Sequence, residues 1–92
     1  MKTTLIISKD LTENNKLIKF YHPSQDLTKV CTLVDIFYNG NSIEDKMFFL
    51  EKQDIKNNTF YLAIDEKKHS IKIKIKKQNP DYDLEKLCVE II

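Results

Sequence analysis

Arginine and tryptophan are absent from this chain, and glycine occurs once, at Gly40. All 15 basic residues are therefore lysines. Without guanidinium forks the surface has no bidentate grip on carboxylates or phosphates, and interface anchors have to be Tyr or Phe. A single glycine excludes the Gly-rich loops that cradle nucleotide phosphates. Proline is limited to Pro23 and Pro80, and cysteine to Cys31 and Cys88. Two isolated cysteines in a chain able to build a core read as free thiols. Long apolar runs are missing too. The longest, Phe60-Tyr61-Leu62-Ala63-Ile64, falls far short of the roughly 20 residues of a spanning helix. Leu5 to Ile7 is likewise shorter than a signal-peptide core of roughly 7–15 residues. A cytoplasmic location with no membrane partner is the expectation.

What is present is a near-neutral balance, 15 basic against 14 acidic residues in 92. That excludes nucleic-acid binding driven by net charge alone. With 41% hydrophobic and 32% charged residues, the chain is apolar enough to fold. Area scaling gives roughly 5,600 Å² folded against roughly 15,800 Å² unfolded, so about 65% of the surface is buried. One core and a single domain over residues 1–92 are expected. The Lys-only, Ile- and Asn-rich composition is what AT-rich coding produces, and it suggests a small accessory protein of a phage or mobile element.

Short β-type runs recur along the chain: Thr3–Ile7, Leu17–His22, Val30–Tyr38, Lys46–Glu51, Phe60–Ile64, Ser70–Lys76 and Lys86–Ile92. Polar connections separate them. This pattern predicts a mainly β fold, a small antiparallel sandwich or compact barrel of about 6–7 strands with room for one short helix. Asn39-Gly40, flanked by apolar runs, predicts a hairpin whose type I′ turn has φ > 0 at both residues. Two segments carry both periodicities. In Leu27–Asn39 the polar residues Thr28, Lys29, Thr32, Asp35 and Asn39 share one helical face, with Gly40 placed as a cap. Val30, Thr32, Val34 and Ile36 are β-branched and favour a strand. Strand is the preferred assignment, and an α+β fold with a helix at 27–38 is the alternative. Asp83–Ile92 also fits both, and strand is again preferred.

The most distinctive stretch is Ser70-Ile71-Lys72-Ile73-Lys74-Ile75-Lys76-Lys77. Its alternation turns Ile71, Ile73 and Ile75 to the core and stands Lys72, Lys74 and Lys76 on the other face, about 6–7 Å apart. Such a row suits a single-stranded nucleic-acid backbone or an acidic protein patch. It equally suits a solvated face, or an edge strand charged against aggregation. Nucleic-acid binders add aromatic platforms or Arg, and the sequence places neither beside the row. Continuity with Lys19, Lys46 or Lys52 would favour nucleic acid.

Met47-Phe48-Phe49-Leu50 puts bulky residues on both faces of a strand. A central strand would cover both; otherwise an outward Phe48, Phe49 or Met47 marks a binding patch. Tyr61, like Tyr21, Tyr38 and Tyr82, reads as a core cap or an interface anchor. The candidate interaction surface is Lys72, Lys74, Lys76, Phe48, Phe49 and Tyr61.

His22, His69, Cys31 and Cys88 lack ligand-pair spacing, so no metal is expected. Asp81-x-Asp83-x-Glu85 lacks the glycine and the twelve-residue ligand series of a calcium loop, and with Pro80 it reads as a turn. Both cysteines sit in apolar surroundings without an adjacent base. Neither catalysis nor a cofactor is expected. The sequence points to a cytoplasmic, non-catalytic module that binds another protein, for instance a host factor that it inhibits. Self-association through an open strand edge is also allowed. The alternative is a single-stranded nucleic-acid binder using Lys72, Lys74 and Lys76.

Overall fold

Strict alternation of Ile and Lys gives a strand one apolar and one charged face, and burying the apolar face requires a second layer. The computed structural model describes residues 3–39, 43–64, 68–76, 79, 81–82 and 84–92. Among them run strands β1 (Thr4–Asp10) and β2 (Leu17–Tyr21), a helical turn α1 (Leu27–Val30), and strands β3 (Leu33–Asn39), β4 (Ile43–Phe49), β5 (Thr59–Ala63), β6 (Ser70–Lys76) and β7 (Cys88–Ile91). They form two antiparallel sheets, a four-stranded one ordered β1-β6-β3-β4 and a three-stranded one ordered β5-β2-β7. The expectation of a mainly β, antiparallel fold of about 6–7 strands holds, with seven strands described and no closed barrel among them.

Side chains of both sheets join one hydrophobic cluster. The four-stranded sheet contributes Val34, Ile36, Tyr38, Ile71, Ile73 and Ile75; the three-stranded sheet contributes Ile18, Phe20 and Phe60. Pairing aligns them in rows: Ile73 lies between Ile7 on β1 and Ile36 on β3. Phe20 pairs with Phe60, ring centroids 6.0 Å apart. Each such buried side chain contributes roughly 1.5–3 kcal/mol.

The helix at 27–38 is not formed. Helix is confined to Leu27–Val30, where Asp26 caps it by accepting from the Thr28 amide at 3.0 Å. Beyond it, Val34 and Ile36 extend, because β3 is paired on both sides, with β4 and β6. The last strand starts later than Lys86; Leu84 and Leu87 are buried in a turn closed by Leu87 N–H to the Leu84 carbonyl, 3.2 Å. Asn79 opens the turn expected near Pro80, accepting from Asp81 N–H at 3.0 Å. Pro80 and Asp83 themselves lie outside the described residues.

The β3–β4 hairpin exists, but not with the turn expected. Asn39 pairs with Ile43 as a strand residue, which leaves residues 40–42, outside the described residues, to connect the strands. The positive-φ non-glycine residues described are instead Asn57 (53°) and Asn58 (56°). Lys56 and Thr59 exchange both backbone bonds around them, at 3.1 and 3.0 Å. That is the two-residue turn with φ > 0 at both positions, made here by asparagines, which tolerate the left-handed region. The Asn58 side chain then ties the turn to the loop before α1. Its Oδ1 accepts from Leu27 N–H at 2.7 Å, and its Nδ2 donates to the carbonyls of His22 (3.1 Å) and Gln25 (2.6 Å). His22, buried at 4% exposure, braces the same loop, its Nδ1 accepting from the Ser24 and Gln25 amides.

Candidate interaction face

The outward side of the four-stranded sheet follows from alternation and register. On β6 the buried Ile71, Ile73 and Ile75 leave Lys72, Lys74 and Lys76 facing out. Because β6 lies between β1 and β3, this row is not edge protection. Register places Ile6, Lys74, Asp35 and Met47 in one row across β1, β6, β3 and β4. Ser8, Lys72, Phe37 and Asp45 form the next row. On the other side, Thr4 pairs with Lys76 and Leu33 with Phe49.

Three large apolar side chains stand exposed on this face: Ile6 at 53%, Met47 at 59% and Phe49 at 67%. Met47 and Phe49 sit side by side on β4. That strand is an edge, so the central position that would have covered both its faces is overturned. Lys72 Nζ lies 5.5 Å from the Phe37 ring centroid, within cation–π range. An aromatic ring therefore does stand beside the Lys row, contrary to the sequence reading. Asp35 and Asp45 are diagonal neighbours across β3 and β4. The Asp45 carboxyl is held above its usual range, first by its hydrogen bond to Asp35, then by desolvation and by repulsion from the same group. One end of the face dips into an open dish of about 440 Å³, where Ser8, Ser70 and Asn39 are short and Lys72 and Phe37 rise beside them.

The six residues singled out in the sequence divide. Lys72, Lys74, Lys76 and Phe49 share this face. Phe48 turns to the opposite, inward side of β4, where it is partly buried against the core. Tyr61 is 52% exposed but lies on the outward side of the three-stranded sheet, in a row with Lys19 and Glu90. Lys19 is thus on the other sheet, and Lys46 pairs with the buried Ile36 on the inward side of β4, so neither extends the Lys row. Sequence reasoning missed Ile6, Leu33, Asp35, Phe37 and Asp45 as surface candidates, and weighed Met47 only within the Met47-Phe48-Phe49-Leu50 run. Alternation from Leu33 on β3 and back from Phe49 on β4 carries those on β3 and β4 once the two strands are known to pair, and Ile6 follows from the pairing of β1 with Lys74 on β6.

The edges of the four-stranded sheet carry inward charge. Glu44 on β4 is 2.9 Å from Lys68 and 3.8 Å from Lys46, whose Nζ lies 5.9 Å from the Tyr38 ring centroid. Lys9 on β1 pairs with the buried Ile71. Charges pointing inward on an edge discourage a further strand from adding there.

The three-stranded sheet faces outward differently. Lys19 Nζ lies 4.7 Å from the Tyr21 ring centroid, and Tyr21 O–H donates to Glu90 at 3.0 Å. Hydrogen bonds to Glu90 and then Cys88 push the Tyr21 phenol up to about 12. Both cysteines are free. Burial pushes the Cys31 thiol up to about 12, away from the thiolate that nucleophilic chemistry needs. Among the described residues, no group of three His, Cys, Asp or Glu side chains is placed to hold a metal ion. No described helix is long and apolar enough to cross a membrane. No protein-family model matches the chain, and no curated protein or solved structure matches it.

Proposed function

We propose that this chain is a non-catalytic protein-docking module of the cytoplasm and that the outward side of its four-stranded sheet is the docking surface. The observation that carries the reading is the adjacency of Met47 and Phe49, more than half exposed on an edge strand. Covering a phenylalanine removes on the order of 150–250 Å² from water, enough to anchor an interface. The surrounding charge favours a protein over a polyphosphate. Asp35 and Asp45 stand among Lys72 and Lys74 on the same face and would repel a phosphate backbone. Foreign occupants of such a face include the host factor that a phage or mobile-element accessory protein would inhibit. Affinity capture from the native host, with and without nuclease, tests the reading. The variant Met47→Ser/Phe49→Ser should lose the captured protein, and nuclease should change nothing.

A second reading rests on Lys72 beside Phe37 at the rim of the open dish, an arrangement that suits a stacked base and its phosphate. Three lysine contacts of about 0.7 each would give a slope of roughly −2 in log K against log salt for single strands. Lys72→Gln/Lys74→Gln/Lys76→Gln would remove that slope. Unchanged, salt-independent behaviour of the wild type toward single-stranded RNA or DNA discards this reading.

A further inference from the structure

We infer that the occupant of this face is a second copy of the chain, packed sheet against sheet about a two-fold axis running roughly parallel to the strands between β6 and β3. This inference rests on reading the outward side of the four-stranded sheet as a protein-docking surface. A two-fold interface has to be complementary to its own reversed image, and the central row of the face has that property. Read across the sheet, it runs Ile6, Lys74, Asp35, Met47, that is apolar, cation, anion, apolar. The axis lays β6 of one copy over β3 of the other and β1 over β4. Ile6 then meets Met47 of the second copy, Lys74 meets Asp35, and symmetry makes each contact twice. Both exposed apolar ends of the row are covered, and both charges of its middle are paired.

The flanking rows are compatible. Lys72 comes to the Phe37 ring of the second copy, a partner of the same kind as the one 5.5 Å away in its own chain. Ser8 comes to Asp45, the Lys76 stem to Leu33, and Thr4 beneath Phe49. Aligned sheets pack about 30° off parallel, which displaces the outer rows more than the central one. The central row, Lys74 with Asp35 above all, therefore defines the interface.

The size is sufficient. Four strands at about 4.8 Å and seven residues at about 3.3 Å give a face of roughly 19 by 23 Å, or about 440 Å² in projection. Side-chain relief raises this toward the roughly 800 Å² per partner of a standard interface. Edge-to-edge pairing, the other route to a homodimer, is opposed by the inward Glu44 and Lys46 on β4 and Lys9 on β1.

Charge exchange tests the pairing. Lys74→Asp gives a chain with acid at both positions, and Asp35→Lys one with lysine at both. In sedimentation velocity over a concentration series, the wild type should approach twice the monomer mass. Each variant alone should associate about ten-fold or more weakly, because both of its pairs repel. An equimolar mixture of the two should regain the doubled mass, since every residue 74 then faces an opposite charge at 35. Circular dichroism on each variant separates loss of pairing from loss of fold, and recovery on mixing requires both chains to be folded. A wild type monomeric at every concentration overturns the inference, as does a folded pair of variants that fails to recover on mixing. If the wild type is monomeric while Met47→Ser/Phe49→Ser still loses a host protein, the docking surface stands and only its self-pairing fails. If that variant loses nothing either, both readings fail.

Discussion

The two sheets share one core but present opposite kinds of outer surface. Outside the three-stranded sheet, Lys19 covers the Tyr21 ring and Tyr21 donates to Glu90, so its polar groups are satisfied within a single patch. Outside the four-stranded sheet, Ile6, Met47 and Phe49 stand exposed, and the Asp35 and Asp45 carboxyls lie as diagonal neighbours next to a row of lysines. Exposed side chains alone do not separate a docking face from an ordinary one, since Tyr61 and Ile92 are also exposed on or near the smaller sheet. What separates them is grouping: Met47 and Phe49 stand adjacent on an edge strand with Ile6 at the far end of the Met47 row, whereas Tyr61 stands in a row with Lys19 and Glu90.

The largest expected effect breaks what the two surfaces have in common. Ile73→Ala, beneath the Lys row, should cost about 2–5 kcal/mol in urea unfolding by leaving a cavity in the core. Lys74→Ala, one residue along on the outward side, should stay within about 0.5 kcal/mol when both variants are unfolded at concentrations dilute enough to keep the chain monomeric. Equal effects would mean that β6 does not alternate as described.

Next in size is the brace beneath α1. Asn58→Ala removes three side-chain hydrogen bonds and a residue suited to φ > 0, at a cost of about 1–3 kcal/mol. Asn58→Gly keeps the backbone freedom and should recover part of that loss, which chemical denaturation of the two variants would show.

Smaller effects sharpen the contrast through pH. The Tyr21 phenol is raised in the fold from 10.0 to about 12, so the stability it supplies is complete below pH 10 and is lost as pH rises toward 12. Tyr21→Phe should flatten that part of the wild-type stability curve. Asp45 is raised as well, so its contribution is complete below the ordinary carboxylate range and is lost as pH rises through its folded value. Asp45→Asn keeps a hydrogen-bonding group beside Asp35 without the second charge. It should remove the acid-side gain in stability while leaving the alkaline behaviour of Tyr21 untouched.

Much of this architecture was legible in the sequence. The alternation of Ile71 to Lys76 set both faces of β6, and β-branched Val34 and Ile36 outweighed the helical spacing of 27–38. What local pattern does not carry is strand order. Edge or centre depends on pairing between distant segments, and β6 reaches its central place only by pairing with both β1 and β3. For the same reason Phe37 came beside Lys72 unannounced, and Phe48 and Phe49 could be assigned to opposite faces without knowing which faced out. The turn at Asn57 and Asn58 was hidden because its left-handed residues are asparagines, while the stronger-looking Asn39-Gly40 signal marked the right hairpin although Asn39 itself stays in the strand and Gly40 lies outside the described residues.

The most direct measurement is a dilution series of backbone amide spectra by NMR. If the outer side of the four-stranded sheet is the docking surface and its occupant is a second copy, the signals of Ile6, Asp35, Met47, Phe49 and Lys74 shift with concentration. Those of Lys19, Tyr21, Tyr61 and Glu90 stay fixed. Concentration-dependent shifts confined to the three-stranded sheet, or to the edges of β1 and β4 without Asp35 and Lys74, would contradict it.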